Sequence, residues 1–250
     1  MSFRDLHCAD EPLLLPNAWD VSSVLAFRDA GYRAVVTTSF GVAASAGHPD
    51  GGRSSKEPTR SLARRLRNLS VYVSADVEDG YHDDPDVVAE YVSGLGVAGI
   101  NIEDSTDEKL ISPQAHAAKV AAIKKLSPEV FINARVDTYW LNQEANVSAT
   151  LDRAATYVEA GADGIFIPGA SDPCDLRQLT ANIPLPVNVL VVPVLTLVQL
   201  ADLGVRRVST GSLPYRAAID AAVAVVQNIR DGVPPQIGRA SCRERVCLYV

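Results

Sequence analysis

The 250-residue sequence lacks several features that would assign it to a particular class of protein. Its 23 basic and 30 acidic residues are interspersed and give a net charge of -7, so no basic stripe is available for nucleic acid. It has no apolar run long enough to span a bilayer and no signal-peptide pattern. We therefore expect neither a nucleic-acid nor a membrane partner.

Cysteine is scarce and scattered, and the four positions lack the spacing of metal ligands: Cys8, Cys174, Cys242 and Cys247. A chain of this length can bury most of its unfolded surface and needs no covalent cross-links. These two points favour a reduced, cytoplasmic setting over a disulfide framework. The starting class is a cytoplasmic enzyme or binding domain.

A linker is missing as well. No segment rich in Pro, Gly and Ser divides the chain, which predicts a single domain over residues 1–237. From residue 238 the composition changes, because three arginines and two cysteines crowd into the end of the chain. We interpret residues 238–250 as a non-native tail and exclude them from the fold.

The sequence does contain a regular alternation of buried strands and helices. Eight short apolar runs fit buried parallel strands, and they begin near residues 13, 33, 71, 97, 130, 164, 185 and 204. Helices that end on glycine separate them. Roughly eight such units in about 230 residues predict an α/β fold, a (β/α)₈ TIM barrel. The rival architecture, a doubly wound sheet, would show a glycine-rich phosphate turn where residues 16–20 stand.

The helix after the second strand is delayed. Residues 40–55 are rich in Gly, Ala and Ser and include Gly47, His48 and Asp50. A loop of that length in a compact domain is usually functional or mobile. We therefore predict a long loop there.

Charged side chains follow three of the predicted strands. Asp76, Glu103 and Arg135 stand at the strand ends, and all carboxyl ends of a barrel's strands face one rim. Carboxylates gathered there would suit Mg²⁺, and an arginine beside the ion would bind a substrate carboxylate or phosphonate. The pattern predicts an anionic substrate that chelates the metal. Helix capping by the acids and a structural ion pair for the arginine stay open as alternatives.

Other rim positions are weaker candidates. Asn188, in the seventh strand, is assigned to the rim, and Ser39 is either a turn hydroxyl or part of the site. Trp19 reads as a packed aromatic of the rim, and Asp20 and Asp104 as helix caps or site acids. The histidines have no mutual metal-ligand spacing.

Six segments of the sequence form a recognisable set: Leu15-Pro-Asn-Ala-Trp-Asp20, Thr38-Ser-Phe-Gly-Val-Ala-Ala44, Gly47-His-Pro-Asp-Gly51, Ser74-Ala-Asp76, Gly99-Ile-Asn-Ile-Glu-Asp104 and Asn133-Ala-Arg-Val-Asp137. Together they resemble the isocitrate lyase/phosphoenolpyruvate mutase superfamily over roughly residues 13–232. The resemblance implies a modified TIM barrel that binds Mg²⁺ and a small 2-oxo acid. It also implies a homo-oligomer with an exchanged C-terminal helix.

The resemblance further implies roles for individual residues. Asp50, Asp76 and Glu103 would hold the metal directly or through water, with Asp76, Glu103 and Arg135 forming the catalytic group. The substrate would contact the remaining predicted residues: Trp19, the backbone N–H groups of Ser39 and Gly41, Arg135 and Asn188.

Two departures from the family pattern shape the expected reaction. Ser74 stands where the family has its first metal-site Asp, and Glu78 is a candidate replacement. The segment that supplies the catalytic cysteine of isocitrate and methylisocitrate lyases is missing. We expect a Mg²⁺-dependent lyase that cleaves a C–C or P–C bond of a small 2-oxo or 2-hydroxy acid through an enolate. An oxaloacetate-type hydrolase or decarboxylase and an inactive carboxylate-binding barrel remain alternatives.

Overall fold

Strands and helices alternate along the chain, as the apolar pattern predicts. The computed structural model describes residues 2–9 and 11–234. Its strands are β1 (Leu13–Leu15), β2 (Asn17–Ala18), β3 (Ala34–Thr37), β4 (Tyr72–Asp76), β5 (Gly99–Ile102), β6 (Ser105–Thr106), β7 (Lys109–Leu110), β8 (Phe131–Arg135), β9 (Gly164–Phe166), β10 (Val187–Leu190) and β11 (Arg207–Ser209). The helices are α1 (Val21–Asp29), α2 (Ser39–Ser45), α3 (Lys56–Leu66), α4 (Pro85–Leu95), α5 (Pro113–Leu126), α6 (Thr138–Leu141), α7 (Val147–Glu159), α8 (Pro173–Asn182), α9 (Leu197–Asp202) and α10 (Leu213–Arg230), preceded by a 3₁₀ helix over Asp5–Cys8.

Nine of the strands form one parallel sheet that closes on itself. The hydrogen-bonded order is β1, β11, β10, β9, β8, β5, β4, β3, β2. Its two edge strands are separated only by Pro16, so β1 and β2 are two parts of one strand that pairs with β11 on one side and β3 on the other. The result is the eight-stranded barrel predicted from the sequence, and the doubly wound alternative is wrong.

The barrel wall separates an apolar layer from a polar interior. Ile100, Ile132 and Ile165 point outward, are fully buried, and pack in the main core between strands and helices. Side chains alternate along a strand, so the residues beside them point into the barrel. Several of these inward residues are polar, such as Asn101 and Asn133. This interior differs from the branched apolar layers that usually fill such barrels.

The N-terminal end of the barrel is closed by the 3₁₀ helix, which the sequence did not predict. Phe3 and Leu6 pack against residues at the starts of strands, including Phe131. The His7 ring stacks on Phe131 with 4.1 Å between ring centroids. Access to the barrel is therefore from the carboxyl ends of the strands.

The prediction of an uninterrupted loop over residues 40–55 is wrong in its first part. Helix α2 begins at Ser39, and the Thr38 hydroxyl accepts from the Gly41 N–H at 3.4 Å as its N-cap. Glycine is required at position 41, because a Cβ there would lie 2.9 Å from the Trp19 Cβ. The loop proper is shorter and joins α2 to α3.

Helix α10 differs from the other long helices because none of its residues is buried. Its exposed apolar side chains include Ile219, Val223, Val226 and Ile229. The predicted tail, residues 238–250, lies outside the described residues.

No helix in the described part of the chain combines the length and apolar character needed to cross a membrane.

Candidate active site

A cleft of about 1200 Å³ opens at the carboxyl ends of the barrel strands. Its charged lining includes Asp50, Asp76, Glu78, Glu103 and Arg135. The structure thus brings together the acids and the arginine that the strand ends predicted. Their side chains differ in which atoms have hydrogen-bond partners.

Asp76 ends β4 and has one oxygen held and one left over. Its Oδ2 accepts hydrogen bonds from the Ser39 N–H at 3.2 Å and the Ser39 hydroxyl at 3.1 Å. Its Oδ1 is buried and has no hydrogen-bond partner among the described residues. Burial raises the pKa of Asp76, and the nearby Arg135 opposes that shift. A cation at Oδ1 would satisfy this oxygen.

Glu103 and Arg135 form an ion pair at the ends of β5 and β8. Arg135 Nη1 donates to Glu103 Oε1 at 2.5 Å, and Arg135 Nε donates to Asp137. Burial raises the pKa of Glu103 well above its ordinary value, although Arg135 lowers it. Arg135 Nη2 and Glu103 Oε2 make no hydrogen bond within residues 2–9 and 11–234. The structural ion pair and a role in the cleft are therefore compatible.

Aromatic rings fix the Arg135 guanidinium from the other side. Its carbon lies 5.5 Å from the centroid of the Trp140 ring and 5.8 Å from that of Phe166. An arginine held between carboxylates and aromatic faces loses little freedom when it binds an anion.

Asp104 supports the arginine from behind and caps no helix. It accepts hydrogen bonds from Arg153 at 2.7 Å, from the Tyr157 hydroxyl at 2.6 Å and from the Asp137 N–H at 2.8 Å. It is fully buried and does not line the cleft. Asp20 is the N-cap of α1, as the capping alternative predicted.

Glu78 and Asp79 anchor the loop between α2 and α3. Glu78 accepts from the Arg53 N–H at 2.9 Å, and from the Ser55 N–H at 3.2 Å and hydroxyl at 2.5 Å. Asp79 accepts from the Arg53 guanidinium at 2.6 Å and from Thr106 at 2.7 Å. Both Glu78 oxygens accept hydrogen bonds from this loop, in contrast to Asp76 Oδ1, which has no partner among the described residues.

Asp50 lies on the same anchored loop and reaches the cleft. Partial burial and the charge of Glu78 raise its pKa, and Arg135 acts in the opposite direction. It is exposed, which suits a contact through water better than a direct metal bond. Ser74, in contrast, is fully buried below Asp76, and its hydroxyl has no partner among the described residues.

Three predicted substrate contacts do not reach the cleft. Trp19 packs edge-on against Tyr215 at 5.4 Å, and the Gly41 N–H is taken up by α2. Asn188 is fully buried, and its side chain hydrogen-bonds Ser209 at 3.1 Å, which does line the cleft. Ser39 lines the cleft, but its N–H points to Asp76 and is unavailable to a substrate carboxylate in this structure.

Three polar residues at the floor of the cleft were not predicted from the sequence. Asn17, Asn101 and Ser209 line it. Asn101 lies on β5, two residues before Glu103, which directly follows the strand, so alternation along the chain could have indicated that both face the cleft.

The acids of the cleft fit a magnesium site that is completed by water and substrate. No three His, Cys, Asp or Glu side chains in the described part of the chain converge closely enough to hold a metal unaided. Mg²⁺, however, often binds one or two carboxylates and completes its shell with water and substrate oxygens. The orphaned Asp76 Oδ1 and the unpaired Glu103 Oε2 therefore fit such an ion.

The chain is similar to several known proteins. A family model described as phosphoenolpyruvate phosphomutase matches residues 3–230. An uncharacterized protein of Mycobacterium tuberculosis is 54% identical over 251 residues, covering 100% of this chain and 97% of that protein. The 2-methylisocitrate lyase of Halalkalibacterium halodurans is 26% identical and covers 99% of this chain and 87% of its own. A crystal structure of a proposed phosphonomutase from Burkholderia cenocepacia has a TM-score of 0.84 and 37% identity, covering 90% of this chain and 97% of that one.

Proposed function

The chain belongs to the phosphoenolpyruvate mutase/isocitrate lyase superfamily, and from that membership we propose that it is a Mg²⁺-dependent carbon–carbon lyase. Its substrate is a small 2-oxo or 2-hydroxy acid, and the reaction passes through an enolate. The convergence of Asp76, Glu103 and Arg135 in one cleft carries this proposal. Each of the three has an atom without a protein partner among the described residues, so the site is prepared for a ligand.

Arg135 binds the acid end of the substrate. Its Nη2 is the free donor of a guanidinium that two carboxylates already hold in place. Burial lowers its pKa while Asp137 and Glu103 raise it, and the balance keeps the group charged. A fixed cation orients a carboxylate without a large loss of side-chain entropy.

Asp76 and Glu103 are the residues that would hold Mg²⁺. Ser39 fixes Asp76, and Arg135 fixes Glu103, so both carboxylates keep one oxygen for the ion. The ion, when bound, supplies a Lewis acid that stabilises negative charge on the substrate's oxygen.

Decarboxylation of an oxaloacetate-like acid is a second candidate, favoured by the composition of the cleft wall. Within the described residues, that wall contains no His, Cys, Lys or Tyr, so its candidate bases are carboxylates. Cleaving a 2-hydroxy acid would require one of these carboxylates to take the hydroxyl proton. Losing CO₂ from a 3-carboxy-2-oxo acid needs only stabilisation of the enolate, after which water can supply the proton.

An assay of a panel of 2-oxo and 2-hydroxy acids tests the proposal. Release of pyruvate, glyoxylate or CO₂ would be measured with Mg²⁺ and with EDTA, for the wild type, Glu103→Gln and the surface control Glu129→Gln. Metal-dependent turnover that disappears only in Glu103→Gln supports the lyase, and CO₂ as the product selects decarboxylation. No turnover, with equal ligand affinity in all three proteins, supports the carboxylate-binding barrel and contradicts the proposal.

We also propose that the protein is a homo-oligomer in which α10 packs on a second copy. Its exposed apolar side chains, among them Val223 and Val226, support this because water-exposed apolar rows of this kind are uncommon in monomers. Sedimentation of the wild type beside Val223→Glu/Val226→Glu tests it. A smaller species is expected for the variant, and an unchanged mass contradicts the role of α10.

A further inference from the structure

The barrel interior directly below the cleft is polar, and the proposed function leaves its residues unused. Asn101 on β5 pairs in register with Asp76 of β4 and with Asn133 of β8. It is only 3% exposed, yet it lines the floor of the cleft. Asn101 is thus where the barrel interior meets the site.

Arg207, the first residue of β11, is fully buried inside the barrel. Its Nη2 donates to Asn101 Oδ1 at 2.9 Å, and Asn133 Nδ2 donates to the same oxygen at 2.9 Å. The Nε and Nη1 atoms of Arg207 have no hydrogen-bond partner among the described residues. Burial lowers the pKa of Arg207 to about 9, and the charge of Asp76 acts against this shift. The guanidinium is therefore still a cation at neutral pH.

This guanidinium determines which way the Asn101 amide faces. A guanidinium carries only donors, so the Asn101 atom that meets Arg207 has to be the carbonyl oxygen. Two donors hold that oxygen from below, which leaves Nδ2 as the free end of the amide. Nδ2 makes no hydrogen bond to the described residues. It is also not fully buried, in contrast to the unpaired nitrogens of Arg207. It is accessible from the cleft.

We propose that Asn101 binds the substrate, with its Nδ2 donating a hydrogen bond to an anionic oxygen of the acid at the floor of the cleft. Arg207 is a positioning residue that keeps the amide in this orientation. The inference rests on the proposed function, since it assumes an anionic ligand in the cleft. A donor fixed before the ligand arrives stabilises negative charge without reorganising. An amide free to rotate would present its oxygen part of the time and repel the ligand.

Calorimetric titration with oxalate, with and without Mg²⁺, tests the role of Asn101. Asn101→Leu removes the donor without adding charge, and Asn101→Asp replaces it by an acceptor that can pair with Arg207. Both are expected to weaken oxalate binding at least tenfold. Asn182→Asp makes the same charge change on the exposed end of α8 and should bind as the wild type does.

Arg207 variants separate positioning from a merely structural role. Arg207→Met removes the charged one of the two donors to Asn101 Oδ1, leaving Asn133, and should weaken oxalate binding, whereas Arg207→Lys keeps a charged donor and should restore it. Melting temperature is measured in parallel. If Arg207→Met and Arg207→Lys bind oxalate with the same affinity as each other, the positioning role is contradicted, whatever their melting temperatures.

The side-chain amide of Asn101 can be observed directly by NMR. Its pair of ¹⁵N–¹H signals is identified by its loss in Asn101→Asp, and it should move on adding oxalate to the wild type. Should Asn101→Leu not fold, this shift decides the question. Oxalate binding without such a shift, or unchanged in Asn101→Leu, overturns the assignment of Asn101 and leaves the proposed function intact. Absence of oxalate binding by the wild type contradicts both.

Discussion

Asp76 ends β4 and Asp79 stands three residues later, yet their surroundings shift their pKa values in opposite directions. Asp76 has an orphaned oxygen, and burial raises its pKa. Asp79 is also buried, but Arg53 and Thr106 supply enough hydrogen bonds to lower its pKa. The difference shows that the supply of donors, and not burial alone, decides whether a carboxylate anchors the fold or waits for a ligand.

The largest expected effect is on the unpaired acid. Asp76→Asn keeps the shape but removes the charge that would hold Mg²⁺, so turnover should fall by roughly 10²–10³-fold. The metal-free variant should melt at a higher temperature than the wild type, because a costly buried carboxylate is gone. Steady-state kinetics measures the turnover, and thermal melting measures the stability. Full activity in Asp76→Asn would contradict the role of Asp76 as a ligand-binding acid.

Asp79→Asn should affect stability first. The change removes the charge that pairs with Arg53 and lies 3.8 Å from Lys119 Nζ, so the buried Lys119 loses this counter-charge and Arg53 is left with the exposed Asp83. Breaking a buried pair in this way costs about 3 kcal/mol. Chemical denaturation measures the loss, with the exposed Asp86→Asn as control. A stability loss no larger than that of the control would show that Asp79 anchors nothing.

Glu78→Gln should have an intermediate effect, because Glu78 holds the loop and not the ligand. A glutamine cannot accept at both ends, so one contact to Arg53 or Ser55 is lost. A hydrogen bond to a charged group is worth about 1.5–3 kcal/mol, so the loop should open more often by a factor of roughly 10 to 150, and kcat/KM should fall as the closed loop becomes less populated. Hydrogen exchange at the Arg53 and Ser55 amides should accelerate. If these two amides are as protected from exchange as in the wild type, Glu78 is not the residue that holds the loop.

The smallest effect is a pH dependence. A raised folded-state pKa means that Asp76 adds stability below its unfolded pKa and loses that contribution as pH rises through the folded value. The stability advantage of Asp76→Asn should therefore grow as pH rises above the ordinary carboxyl pKa of about 4. Burial lowers the pKa values of His7 and His116 to about 3, so both histidines destabilise the fold below about pH 6.5. This effect is the same in the wild type and in Asp76→Asn, so it cancels in the difference between their stabilities. A constant difference in metal-free melting temperature would be the contrary result.

Much of the fold was predictable because it depends on local signals. Buried apolar runs and glycine ends locate the eight strands, and proline or Asp caps locate most helices. Helix α2 escaped prediction because its cap, Thr38, reads as the end of a strand and its residues are small. The 3₁₀ helix at the N-terminus is held by contacts with distant residues, which local patterns do not contain.

The candidate site was predictable in outline only. Strand ends placed Asp76, Glu103 and Arg135 in one cleft. Asn188 was expected at the rim, but it lies within β10, which continues to Leu190, and its side chain is fully buried. The separate duties of Asp76 and Glu78 depend on partners brought in by other segments, so no pattern along the chain could distinguish them.

A crystal soaked with Mn²⁺, as a substitute for Mg²⁺, and oxalate tests the central claim most directly. The account predicts an anomalous difference peak at bonding distance from Asp76 Oδ1 and Glu103, with oxalate completing the shell beside Arg135. A peak at Glu78 and Asp79, or oxalate bound in the cleft with no metal at Asp76, would contradict it.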